Sequence, residues 1–126
     1  GRSDGSVSAE SRKEGKTGMD DFGFREMQQM QAGLQERYQD KWQHLSPEIG
    51  KDQLLWLMIE LGEVADIIKK EGSRKIMEDN ATREHFIEEM ADVMMHYNDV
   101  LLCYGILTDE FSKIYQEKHQ RNMSRW

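Results

Sequence analysis

The sequence predicts an all-α fold, an antiparallel four-helix bundle. Three observations carry this. The 126-residue chain holds a single proline, Pro47, and proline is the residue that helix interiors tolerate least. Valine, isoleucine and threonine are sparse beside Leu, Met, Glu, Gln and Lys, a balance that favours helix over strand. Long stretches repeat apolar residues at spacings of three and four.

The elements follow in order. Residues 1–18, GRSDGSVSAESRKEGKTG, are rich in Gly, Ser and charge and have almost nothing to bury. They read as a disordered arm or a cloning remnant, with Met19 as a native start. Residues 19–126 form the folded domain. Helix one is expected from about Asp21 to Trp42, on Phe24, Met27, Met30, Leu34 and Tyr38. Ser46-Pro47-Glu48 is a helix start, with serine as N-cap, proline at the first position and an acid in the first turn. Helix two then runs to Lys70, where Gly72 suits the cap. A polar connection, Ser73 to Ala81, leads to helix three at about Thr82–Tyr104, which Gly105 stops. Thr108 caps helix four, which runs nearly to the end. Helices joined by short loops pack as antiparallel neighbours.

Composition removes several function classes. The net charge is −7, from 17 basic and 24 acidic side chains. Without residues 1–18 the balance is 13 basic to 21 acidic. An acidic surface lacks the basic footprint of a nucleic-acid binder, although it permits a nucleotide held through a metal. No apolar run approaches the ~20 residues of a membrane span, so no membrane partner is expected. Cys103 is the sole cysteine, which excludes an intrachain disulfide and makes a reducing cytoplasm the simplest location. Nine methionines suit an adaptable core.

The chemistry concentrates in carboxylates. Glu60-Leu-Gly-Glu63 is an ExxE and Glu89-Met-Ala-Asp92 an ExxD. Residues three apart share a helix face, so each pair can converge on one point. With 24 acids in 126 positions, about five acidic pairs at that spacing arise by chance, so context must decide. At ~100° per residue, with Glu60 at zero, Glu63 falls at about 300°, Trp56 at about 320° and Ile67 at about 340°. Apolar residues thus lie between the two acids. Like charges set among apolar groups repel each other and lose hydration, and a divalent cation is the simplest offset. The alternative is a pair of acids at the solvent edge of an amphipathic helix. On helix three, His85, Glu88, Glu89, Asp92, His96, Asp99 and Cys103 form a polar stripe opposite the apolar Phe86, Met90, Val93, Met94, Tyr97 and Leu101. Such a stripe is usually a solvated face. The spacing is not the Glu-x-x-His of carboxylate di-iron bundles and suits a hard, all-oxygen metal.

The string Leu57-Met-Ile-Glu60-Leu-Gly-Glu63-Val-Ala-Asp66, a gap of roughly 20 residues, then Glu88-Glu89-Met-Ala-Asp92-Val resembles the MazG-like branch of the all-α NTP pyrophosphohydrolases. Gly105-Ile106 and the closing Lys118-xxx-Asn122-xx-Arg125-Trp126 are similar to the family's C-terminal pattern. The resemblance covers about Gln53 to Trp126. It implies a helical bundle assembling as a homo-dimer or tetramer. It implies Mg²⁺, with Mn²⁺ as a substitute, held by Glu60, Glu63, Glu89 and Asp92. The implied reaction cleaves a (d)NTP to the monophosphate and pyrophosphate, as in nucleotide-pool house-cleaning. Lys118, Asn122 and Arg125 would contact phosphate oxygens; the alternative is a solvated basic turn that suits the helix dipole. Many relatives carry tyrosine four residues after the ExxD aspartate. Here that position is His96, which either contacts phosphate or a metal-bound water or is a polar filler.

Mg²⁺ is commonly held by carboxylates and substrate phosphates, and a metal-bound water is the expected nucleophile. Glu63 is the first choice for its base, with Glu60 not separable from it. Trp42 and Trp56 are candidate walls of a base pocket, although such tryptophans are more commonly core or interface. Leu54 to Ile59 is apolar nearly all round, which points to subunit association. Two other function classes stand beside the hydrolase: a non-catalytic relative that binds nucleotides or a partner, and a structural helical oligomer with solvent-facing acids.

Overall fold

The computed structural model describes residues 22–126; the 1–18 arm and the expected helix start at Asp21 lie outside the described residues. These form five α-helices and no strand: α1 (Phe24–Arg37), a 3₁₀ turn (Pro47–Ile49), α2 (Gly50–Glu71), α3 (Ser73–Glu78), α4 (Asn80–Cys103) and α5 (Thr108–Met123). The all-α expectation is met. No helix among the described residues is long and apolar enough to cross a membrane.

Several boundaries differ from expectation. α1 ends at Arg37 rather than Trp42, because the chain turns at Tyr38, whose carbonyl accepts from the N–H groups of Lys41 and Trp42. Tyr38 and Trp42 then stack with ring centroids 4.9 Å apart. Ser46 makes no side-chain cap, and Pro47 opens a 3₁₀ turn before α2. The polar connection after Gly72 holds the short helix α3, whose one buried residue is Ile76. Asp79, not a residue nearer Thr82, caps α4: its carboxylate accepts from the Thr82 N–H at 3.0 Å and the Thr82 hydroxyl at 2.6 Å. Leu107 occupies the N-cap of α5 in place of Thr108, which is buried in the first turn. Gly72 and Gly105 do end their helices, with φ of +85° and +66°, a region open chiefly to glycine.

α2 and α4 pack antiparallel as the centre of the molecule. The Tyr104 ring, at the end of α4, lies against Gly50, at the start of α2, where a β-carbon would collide with it. At the opposite end Asp66, Lys70 and Glu71 share a cleft with Thr82 and His85. Leu57, Val64 and Ile67, spaced seven and three apart, form the buried stripe of α2, joined by Ile49, Ile76, Leu101 and Cys103.

α1 covers α4 with an unexpected face. Its buried side chains are Gln28 and Gln31, while Met30 is 65% exposed. α5 is attached mainly at its root, where Phe111 meets Phe24 and Tyr97 at centroid distances of 5.1 and 5.9 Å. An exposed Arg25–Asp109 pair adds a 2.6 Å contact, of a kind worth little alone. Beyond Ser112 every α5 residue except half-buried Asn122 is exposed.

α2 leaves a second apolar stripe uncovered. Leu54, Met58, Leu61 and Ile68 are 46%, 57%, 48% and 46% exposed. With exposed Ala65 they alternate spacings of four and three, the seam of a coiled coil.

Candidate metal centre

The antiparallel pairing of α2 with α4 brings Glu60, Glu63 and Glu89 together: one carboxylate oxygen from each lies within 4.8 Å of the others. Glu60 and Glu89 are half-buried and Glu63 is exposed. Glu60 and Glu63 share a face one turn apart on α2, and Glu89 reaches them across the helix pair. Asp92 falls outside this closest group, yet its charge is felt at Glu60. His96 is half-buried, with Nδ1 2.9 Å from the Asp92 carbonyl oxygen. That geometry makes Nδ1 the donor and leaves Nε2 for another partner.

The polar stripe of α4 is solvated only at its start, where His85 and Glu88 are exposed. Glu89, Asp92 and His96 are half-buried, and Asp99 and Cys103 are buried at 5% and 2% exposure. From Glu89 onward the stripe faces the neighbouring helices, because α4 is packed between α1 and α2. Conversely, the side expected to be wholly core is partly open, with Met90 44% exposed.

The electrostatics of the cluster are unbalanced. The ion pairs among the described residues are Arg25–Asp109, Lys70–Asp66 and Lys75–Glu71, and none involves the four acids. Glu60 carries the consequence. Hydrogen bonding to Glu63, then burial, then the negative charge of Glu63 raise its pKa, with Asp92 adding to the rise and His96 opposing it. Glu60 therefore holds a proton more tightly in the fold than in the unfolded chain. Its contribution to stability is present below the ordinary glutamate range and is lost as pH rises through the raised value. A cation must displace that proton. Titration calorimetry with Mg²⁺ in mildly acidic solution is expected to show proton release, seen as an enthalpy that depends on the buffer's ionisation heat. Affinity should rise with pH until Glu60 is ionised. A buffer-independent enthalpy would contradict this.

The remaining candidate residues are not part of the three-carboxylate group, although Trp56 stands one turn before Glu60 on α2. Trp56, on α2, is 54% exposed, and Trp42 is 42% exposed in its stack on Tyr38. Lys118 and Asn122 line one groove of about 410 Å³ on α5, with Phe111, Ile114 and Tyr115. The buried Oδ1 of Asn122 has no hydrogen-bond partner among the described residues. The exposed Arg125 is outside that groove, with its guanidinium 5.0 Å from the Trp126 ring centre. The backbone of α5 approaches that of α1 and not that of α2 or α4. Its contacts to α4 run through Tyr97 and Met94, on the far side from Glu89 and Asp92.

Two groups were missed by sequence reasoning. Asp99 accepts from Gln31 and Gln35 at 3.0 and 3.1 Å. Asn98, 1% exposed, accepts from Gln28 at 3.4 Å and donates to the Met94 carbonyl at 3.2 Å. The run Gln28, Gln31, Gln35 at spacings of three and four was the available signal.

Comparison with protein-family models, with curated proteins and with solved structures found no match.

Proposed function

We propose that the protein is a Mg²⁺-dependent nucleoside triphosphate pyrophosphohydrolase, cleaving a (d)NTP to monophosphate and pyrophosphate. The observation that carries this is the convergence of Glu60, Glu63 and Glu89 within 4.8 Å, with no cationic side chain paired to them among the described residues. Carboxylates so placed, without sulfur or imidazole among them, are the donor set of a hard divalent cation. Glu60, Glu63 and Glu89 would hold it, with Asp92 beside them. When bound, Mg²⁺ supplies neutralisation of the triphosphate and a water of lowered pKa.

The chain's own side chains supply the rest. Glu63, the exposed member, takes the proton of the attacking water. His96, its ring fixed through Nδ1–H, would accept at Nε2 from a water held by that ion. Lys118, Asn122 and Arg125 bind the outer phosphates, and Trp42 and Trp56 wall the base. Because α5 lies on the far side of α4 from the acids, its phosphate contacts come from a second copy. The proposed particle is a homo-dimer or tetramer of antiparallel four-helix bundles, joined through the Leu54–Ile68 seam and working in the cytoplasm.

The test is pyrophosphate release from a panel of canonical and damaged NTPs and dNTPs, with and without Mg²⁺. Metal-dependent pyrophosphate and monophosphate are expected from at least one. Absence of turnover on every nucleotide would remove the hydrolase and leave a nucleotide- or partner-binding oligomer. Release of orthophosphate would assign cleavage to a different bond.

A further inference from the structure

The attachment of α1 to α4 is unusual in what it buries. The fully buried side chains of α1 are two glutamines; Met30 and Leu34 stay exposed, and Phe24 and Met27 are half-buried. The most deeply buried part of the contact is a polar clasp. Gln28 Nε2 donates to Asn98 Oδ1 and, at 3.1 Å, to the Ile106 carbonyl. Gln31 Nε2 and Gln35 Nε2 donate at 3.0 and 3.1 Å to the same oxygen, Asp99 Oδ1. Asp99 is 5% exposed and takes part in no ion pair among the described residues. One ionisable group therefore sits at the centre of the joint, removed from water, with neutral donors as its direct partners.

We propose that α1 is a proton-linked helix, whose grip on α4 tightens when Asp99 is protonated and loosens when it is ionised. An ionised carboxylate loses its hydration when α1 closes over it. The two amides return part of that loss, since hydrogen bonds to a carboxylate favour its charged form. From α4 itself, His96 also favours the charged form. Cys103, further along α4, is a buried thiol whose own proton Asp99 helps to retain. Against these, burial is the largest influence and raises the Asp99 pKa. A carboxyl that binds its proton more tightly when docked gives docking that is strongest below the ordinary aspartate range. That contribution is lost as pH rises through the raised value. The inference stands independently of the metal site.

The experiment combines a carbon-13 titration of the Asp99 carboxyl in the intact protein with hydrogen exchange of α1 amides, corrected for intrinsic rates. The midpoint is expected above the ordinary aspartate value. Protection in α1, relative to α2 and α4, should fall at least about tenfold between about pH 4 and about pH 7. Asp99→Asn should abolish this dependence and keep α1 protected at neutral pH. Gln35→Leu, which removes one donor, should move the midpoint further upward and serves if Asp99→Asn fails to fold. A midpoint at or below the ordinary value overturns the proposal. So does α1 protection that does not change with pH, or an unchanged slope in Asp99→Asn.

Discussion

Glu89→Gln is expected to eliminate metal-dependent turnover, with a loss in kcat of at least about a thousandfold, or roughly 4 kcal/mol of transition-state stabilisation. Glu89 is the α4 member of the three-carboxylate group. Gln preserves its shape while removing the charge that binds a hard cation. The two α2 acids would remain, but they come from a single face of one helix and no longer enclose the ion. Glu63→Gln should be as damaging to rate, since Glu63 is also the proposed base. The two variants separate in binding. Glu89→Gln should lose the rise in Tm that saturating Mg²⁺ gives the wild type, whereas Glu63→Gln should keep part of it. Normal turnover in both would dismiss the cluster as the reaction centre, even if the protein hydrolyses nucleotides.

Met58→Lys combined with Leu61→Glu is expected to convert the proposed oligomer to monomer. Both residues lie on the uncovered α2 stripe and are about half exposed in one copy. Burying each in an interface contributes about 1.5–3 kcal/mol, so losing two raises the dissociation constant at least about a hundredfold. Desolvation of the introduced charges adds to that. Sedimentation velocity is the direct measurement, and Asp66→Asn, on the polar side of α2, is the control. Circular dichroism should show helix content retained, because Leu57, Val64 and Ile67 form the inner stripe on a different face. If the wild type is monomeric at all accessible concentrations, or the double variant assembles as it does, the seam has no role.

The long helices were legible because their signals are local. α2 and α4 each sustain apolar periodicity over more than five turns, and Gly72 and Gly105 mark their ends through a backbone conformation that other residues resist. α3 was not legible, since six residues with one buried isoleucine display no period. The helix-one pattern misled about its buried side. Met27, Met30 and Leu34 mark the apolar face, yet the amides of Gln28 and Gln31 are what α4 accepts. A glutamine stripe reads as solvated until a partner acid is known, and Asp99 reads as solvated for the same reason. The site divides similarly. Glu60 and Glu63 could be placed near apolar neighbours from their own helix alone. That Glu89 faces them follows from the register of α2 against α4, fixed by side chains at both ends of the pair. The detachment of Lys118, Asn122 and Arg125 from the acids depends on where α5 leaves the body, which no local pattern encodes.

The pairing of α2 with α4 also bears on how the chain folds. All four carboxylates lie within one continuous stretch, from the start of α2 to the end of α4, linked by α3 and two short turns. Contacts between elements so close in sequence form quickly, because little loop entropy is spent in closing them. The hairpin can thus collapse, and gather its acids, before α1 has docked or α5 has found a neighbour. Repulsion among those acids opposes that collapse. If the proposed cation binds there, it would relieve that repulsion and so bear on the order of folding events as well as on the finished molecule.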